Sequence, residues 1–371
     1  MLYKDMEEIV RENFEKAKKE LNEPLRIALI GQPGAGKSSL INRIIGKKIF
    51  ETGLFTDTTQ GVNEAKMDDG ECYDDGGLYI VDLPGYGTKM FPFDEWVEKF
   101  HPENYDLYIF VFNGKLHESD NQMFEALKEW SDEEKRGRIH PLFIVRNFCD
   151  SIWDDSKGED ELRADIVRDV RDKMQDDNCR VYFTSCGRHP EGIEELKEAI
   201  KKADIPGAKK SKFLKSFEAS TIKDLDDKKE AILSDIDNYA LLGAVNALNP
   251  VPGVDISVDV GIILKMFADI RETFGITNET IAILAKYNII LPVANKVFNY
   301  VTKEGVSLLI KEVSSQYVGK KFTKYIPIVG QAAAAAAGFA MILNLGKSYV
   351  EDCYNIARAI MEKMIEDEKM R

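Results

Sequence analysis

Apolar positions recur on two different periods along this chain, and the change of period marks its organisation. Residues 3–21 place Met6, Ile9, Val10, Phe14, Ala17 and Leu21 at helical spacing with Glu and Lys opposite, which predicts an amphipathic helix. Pro24 ends it. Leu25–Ile30 is then a short, largely apolar run, as expected of a strand buried in a parallel sheet. Further strands are expected at Leu78–Asp82, Leu107–Phe112, 142–145 and 180–184. Helical spacing lies between several of them, at 38–45, 94–100, 121–130, 159–174 and 192–201. Strands alternating with helices of this length predict a mostly parallel sheet with helices on both faces.

The alternation stops after Asp204-Ile205-Pro206-Gly207, where a basic stretch, Lys209-Lys210-Ser211-Lys212, follows. Beyond it the spacing is almost wholly helical, near 213–237, 239–248, 255–274, 278–287, 290–315 and 331–366. Breaks fall at Asn249-Pro250-Val251-Pro252-Gly253 and Tyr325-Ile326-Pro327. The expected organisation is an α/β nucleotide domain over 23–206 and an all-α helical domain over 207–371. The helix of residues 1–22 packs on the latter, so that both chain ends build it. Residues 326–345 carry no charge over a length that can span a bilayer. They are also rich in Ala and Gly and hold Pro327 and Gln331, which suits a buried or docking helix. Membrane association stays open beside that reading.

Composition narrows the partners. The 371 residues suffice for two domains, and a hydrophobic share of 44% with a charged share of 31% is that of a globular protein. A formal net charge of -14 argues against nucleic acid as a main partner. Five cysteines, Cys72, Cys149, Cys179, Cys186 and Cys353, suit neither a zinc site nor a disulfide framework, so free thiols in a reducing cytoplasm are expected. No signal peptide, N-terminal myristoylation glycine or prenylation box is expected.

The chemistry sits at strand ends. Gly31-Gln32-Pro33-Gly34-Ala35-Gly36-Lys37-Ser38, followed by Ser39, matches G-x-x-x-x-G-K-S between a strand and a helix. The glycines let main-chain N–H groups of Gly34, Ala35 and Gly36 turn toward phosphates. Lys37 reaches the β- and γ-phosphates, the Ser38 hydroxyl binds Mg²⁺, and the helix directs its N-terminus at the anion. Asp82-Leu83-Pro84-Gly85 ends the strand 78–82. Alone, D-x-x-G is a common turn. After a strand and downstream of this loop, Asp82 can hold Mg²⁺ through water and Gly85 can offer its N–H to the γ-phosphate. That pairing favours a GTPase over other users of the loop. Between the two lie Thr58 and Thr59, with Thr59 preferred as the hydroxyl that completes the Mg²⁺ shell.

Base reading departs from the usual [N/T]-K-x-D. The segment is Arg146-Asn147-Phe148-Cys149-Asp150, with Asn147 and Asp150 at the right spacing and Phe148 in place of Lys. Asp150 can accept from the guanine N1 and N2 donors, a contact that rejects adenine. Phe148 can cover the base face. Alternatively, Asp150 only caps a turn. Ser185-Cys186 ends the last strand, where a main-chain N–H meets the guanine carbonyl.

Together these motifs resemble the immunity-related GTPases, also called interferon-inducible GTPases. Residues Gly34 to Asn42, then Asp82-Leu83-Pro84-Gly85-Tyr86-Gly87-Thr88, and Val145-Arg146 with Asp150-Ser151 carry the resemblance. The stretches from Phe91-Pro92 to Tyr105-Asp106 and from Asn249-Pro250 to Asp269, with Phe274-Gly275, add to it. The resemblance implies a P-loop GTPase fold and a cycle of GDP and GTP with Mg²⁺. It further implies homodimers or oligomers formed through the G domain and residence on intracellular membranes, often in cell-autonomous defence. The expected place is the cytoplasm, including the periphery of such membranes. Between Phe112 and Asp120 the family's basic residues are reduced to Lys115, which puts its dimer chemistry in question. Many small GTPases have Gln after D-x-x-G to orient water, and this chain has Tyr86. Slow intrinsic turnover that quickens when two G domains meet is therefore expected; Glu64 is a weak candidate for positioning water and reads more readily as a solvated acid. Two other readings remain: a nucleotide-dependent scaffold with little hydrolysis, and an ATP-using P-loop enzyme.

Overall fold

The computed structural model describes residues 2–51, 63–66, 76–89, 91–131, 140–248, 260–286, 292–317 and 327–370. They fall into two compact units, one from Pro24 to Phe217 and the other taking the chain before and after it; Gly76, against Asn22, goes with the second.

The first unit is built on six strands: β1 (Leu25–Ile30), β2 (Asn63–Lys66), β3 (Leu78–Asp82), β4 (Leu107–Phe112), β5 (Leu142–Arg146) and β6 (Val181–Phe183). Their order in the sheet is β2-β3-β1-β4-β5-β6. The pairs β1–β3, β1–β4, β4–β5 and β5–β6 are parallel, and β2 runs antiparallel on the edge. The mostly parallel α/β sheet is as expected. Strand β2 was not, because Asn63-Glu64-Ala65-Lys66 has too little apolar character to read as one.

Alternation of side chains splits β1 between two cores. Leu25, Ile27 and Leu29 join α2 (Lys37–Ile45), α6 (Ile193–Lys201) and α7 (Gly207–Ser216) on one face. Ala28 and Ile30 join α3 (Phe93–Phe100), α4 (Glu118–Ser131) and α5 (Glu159–Met174) on the other. Helix α7 belongs with this sheet, so the division placed at 206 lies one helix before the limit of the unit. Phe213 and Phe217 are buried in the sheet core, and buried Lys209 pairs with Asp106 at 2.7 Å. The basic stretch is thus partly interior: Lys209 and Lys212 are both buried.

The second unit contains α1 (Leu2–Asn22), α8 (Ile222–Leu248), α9 (Val260–Thr273), α10 (Glu279–Lys286), α11 (Pro292–Asn299), α12 (Lys303–Tyr317) and α13 (Pro327–Lys369). Its core gathers Leu21, Ile232, Ile236, Phe267, Ile342 and Tyr349. Ala17 and Leu21 of α1 are buried, and Asn238 of α8 donates to Glu20 at 3.2 Å. The segments expected at 213–237 and 239–248 are divided differently: α7 ends at Ser216, and α8 runs unbroken from Ile222 through Asn238 to Leu248. Within the uncharged stretch, Met341, Ile342 and Leu345 are buried in this core. Ile342 therefore packs on protein. No helix among the described residues is long and apolar enough to cross a membrane.

Candidate functional site

Parallel pairing brings the carboxyl ends of β1, β3, β5 and β6 to one edge of the sheet, the usual place for a ligand in an open α/β fold. Gly31 to Gly36 leave β1 there and α2 starts at Lys37. The turn needs glycine at its end. Gly36 has φ 85°, and a Cβ on it would lie 2.3 Å from Asn147 Nδ2 and 3.1 Å from Phe148 Cε2. The loop is braced from inside and outside. The Ala35 N–H donates to Gln32 O at 3.2 Å, and Asn113 Nδ2 donates to Gly34 O at 3.0 Å.

Lys37 is buried and folds back, donating to Gly31 O at 3.1 Å, with its ammonium 3.9 Å from Asp82 Oδ1. Ser38 Oγ donates to Asp82 Oδ2. Asp82 is buried at the end of β3, and its Oδ1 has no hydrogen-bond partner among the described residues. Burial holds the Lys37 ammonium below its ordinary value, with the Asp82 charge opposing. Burial likewise pushes the Asp82 carboxyl up, against Lys37 and the Ser38 hydrogen bond. Both charges are thus under-solvated, and a phosphate beside Lys37 and a cation beside Asp82 would relieve them. A buried carboxylate oxygen without a donor, next to a hydroxyl, is the hard-oxygen set that Mg²⁺ takes. Ser38 and Asp82 therefore fit that ion. Ser39 follows on the first turn of α2.

Gly85 closes the loop from the other side: a Cβ on it would lie 2.2 Å from Pro33 Cδ. Its main chain therefore abuts the phosphate loop. Tyr86 does not face that space. It is buried, its ring meets Trp96 edge-on at 5.8 Å, and its hydroxyl donates to Asp120 Oδ1 at 2.6 Å. Sequence reasoning placed no weight on Asp120 or Gln32, whose side-chain amide donates to the same Asp120 oxygen at 3.2 Å. Nothing in their local sequence signals the contact.

The base segment is held by Asn147, which is buried. Its Nδ2 donates to Ala35 O at 2.9 Å, and its Oδ1 accepts from Thr184 Oγ1 at 3.2 Å. Asn147 thus splices the phosphate loop to β6. Phe148 is left-handed at φ 54°, a conformation that costs a non-glycine residue of order 1 kcal/mol. Phe148 is 40% exposed, and the edge of its ring lies beside Gly36. Asp150 lies on the turn Cys149–Ser151 and is exposed, with Gly187 beside it: a Cβ there would sit 3.6 Å from Asp150 Oδ2 and 3.7 Å from Ser185 Oγ. Asp150, Ser185, Cys186 and Gly187 are so brought together. Arg43 of α2, unnoticed in the sequence, fastens this loop by donating to Gly187 O at 3.2 Å. Burial pushes the Cys186 thiol up to about 11, which makes it a poor nucleophile at neutral pH.

Two expectations fall elsewhere. Thr58 and Thr59 lie outside the described residues. Glu64 is exposed on edge strand β2, opposite Val81.

Comparison with known proteins gives one family. The model of the family Interferon-inducible GTPase (IIGP) matches residues 4–364. Interferon-gamma-inducible GTPase 10 of Mus musculus is 23% identical over 278 residues, covering 71% of this chain and 63% of its own length. The chain thus spans under two thirds of that relative. Interferon-inducible GTPase 5 of Bos taurus is 21% identical over 357 residues, covering 93% of this chain and 76% of its own. Among solved structures, Toc33 from Arabidopsis thaliana in complex with GDP and Mg²⁺ is 18% identical, covers 56% of this chain and 90% of its own, and has a TM-score of 0.37.

Proposed function

The chain belongs to the interferon-inducible GTPase family, and we propose that it binds GTP and GDP with Mg²⁺ and hydrolyses GTP to GDP and phosphate. The observation that carries this reading is the convergence of Lys37, Ser38 and the donor-free oxygen of Asp82 at one edge of the sheet. Main-chain N–H groups of Gly34 and Gly36 hold the β-phosphate, joined by that of Ala35 once released from Gln32 O. Lys37, released from Gly31 O, meets the β- and γ-phosphates as a desolvated cation, where its attraction for anions is strongest. Ser38 and Asp82 would hold Mg²⁺, with Thr59 the hydroxyl expected from the sequence to complete the set, and the ion would supply neutralisation of charge on the phosphate oxygens. The Gly85 N–H donates to the γ-phosphate. Asp150 accepts from the guanine edge, Phe148 covers the base face, Ser185 and Cys186 offer main-chain N–H groups to the guanine carbonyl, and Asn147 orients that segment.

Turnover is slow, because Tyr86 is committed to Asp120 and offers nothing to orient water. G-domain self-association supplies the missing stabilisation in trans, and residence in the cytoplasm and on intracellular membranes goes with the family reading. The burial of Tyr86 also favours a second reading, a guanine-nucleotide-dependent scaffold with little hydrolysis. Phosphate release from GTP separates the two. The first reading expects release that Lys37→Ala lowers at least about tenfold. Release no faster in the wild type than in the variant, with GTP still bound, leaves the scaffold.

A further inference from the structure

The segment from Pro84 to Tyr86 is fixed on three sides. Trp96 Nε1 donates to Pro84 O at 2.7 Å, inside the core. Gly85 abuts Pro33, so that even a methyl group has no room between them. Tyr86 OH donates to Asp120 Oδ1 at 2.6 Å. The same oxygen accepts from Gln32 Nε2 at 3.2 Å, and Gln32 is the residue before Pro33 in the phosphate loop. The other oxygen, Oδ2, accepts from the His117 N–H at 2.6 Å, which ties the carboxylate to the start of α4. Asp120 is 2% exposed and Tyr86 0% exposed. Hydrogen bonds between a buried carboxylate and its donors are of the stronger kind, and losing one leaves a buried oxygen unsatisfied.

One carboxylate thus joins the loop that carries Gly85 to the loop that cradles phosphate. We propose that Asp120 is a positioning residue: through Tyr86 and Gln32 it holds the Gly85 N–H where a γ-phosphate needs a donor. The proposal rests on the guanine-nucleotide reading above. Its consequence is selective. GDP has no γ-phosphate, so a loosened Gly85 weakens GTP and spares GDP. A role in stability alone would weaken both nucleotides or neither.

Two variants of the full chain test it, Tyr86→Phe, which keeps the ring in the core, and Asp120→Asn. In the nucleotide-free protein, hydrogen exchange of the flanking Leu83 and Thr88 amides, which donate to Leu29 O and Phe91 O, should accelerate at least about tenfold in each. With Mg²⁺ present, affinity for a non-hydrolysable GTP analogue should fall about tenfold while that for GDP stays within about twofold. Unchanged exchange, or equal losses for the two nucleotides, overturns the proposal. Should Asp120→Asn fail to fold, Tyr86→Phe decides alone. A wild-type protein that takes up neither nucleotide overturns the functional reading and the phosphate role with it. The exchange rates then still decide whether the clamp exists.

Discussion

Phe148 is where the proposed guanine-reading segment departs from the usual motif, while Asp150 keeps its spacing. Asp150 is exposed beside Gly187 and Ser185, and Phe148 is exposed with the edge of its ring beside Gly36. A ring stacks on any purine, so selectivity must come from the carboxylate. Asp150→Asn replaces an acceptor by a group that also donates. It should weaken GTP by about tenfold to a hundredfold, the range for a hydrogen bond to a charged group. Affinity for a triphosphate whose base bears a carbonyl in place of the 2-amino group should rise. Competition binding against labelled GDP reads both, and an unchanged order of bases would show that Asp150 only caps its turn. At this scale motif spacing anticipated placement: Lys37, Ser38 and Asp82 do meet, and Asp150 lies near Ser185. It was silent on Asp120, Gln32 and Arg43. Their roles arise from contacts across long separations along the chain, Tyr86 with Asp120 and Arg43 with Gly187, and no local pattern encodes those.

Among the elements, the buried strands were the easiest to read. Each of β1, β3 and β4 is a short apolar run, and their expected limits are the observed ones. Polar edge strand β2 escaped because it is four residues long and only Ala65 among them is apolar, so no apolar run marks it. Helix limits were harder in the helical unit, where α8 joins the segments expected at 213–237 and 239–248 and the stretch expected as 290–315 is two helices, α11 and α12. Close packing governs that unit. A Cβ at Gly346 of α13 would lie 2.7 Å from Ile236 Cγ2 and 2.9 Å from Met266 Sδ, and one at Gly243 of α8 would lie 1.9 Å from Ile342 Cδ1. Glycine here lets helices approach. Gly346→Val should therefore cost about 1–3 kcal/mol by overpacking, and more where the helices cannot part. A lowered urea midpoint for the helical signal checks it; an unchanged midpoint would show that α13 shifts freely. A charge at Ile342 would likewise disturb this core, so such a variant reports on folding before it reports on membranes.

For the molecule as a whole, the two-unit organisation follows from the change of period, from strands alternating with helices to helices alone. The boundary moved by one helix because the Lys-rich pattern of α7 hides a core contact: Lys209 reaches Asp106 and Phe213 and Phe217 enter the sheet core. Burying an ion pair of this kind is tolerated only with a close partner, and a charge pattern alone does not reveal one. Catalysis belongs to this scale too. With Tyr86 unavailable, self-association is the proposed source of rate, so turnover per enzyme should rise with enzyme concentration, by at least about tenfold if an arginine-like stabiliser is supplied in trans. A flat dependence would remove the trans mechanism and leave slow hydrolysis by isolated chains.

The central claim is that Lys37, Ser38 and Asp82 form a guanine-nucleotide phosphate site. Calorimetric titration of GDP, GTP and ATP into the folded chain with Mg²⁺ tests it most directly. The account predicts uptake of both guanine nucleotides, preference over ATP, and loss of at least about 2 kcal/mol of binding with Lys37→Ala. No heat with either guanine nucleotide, from protein whose fold is intact by circular dichroism, would contradict it.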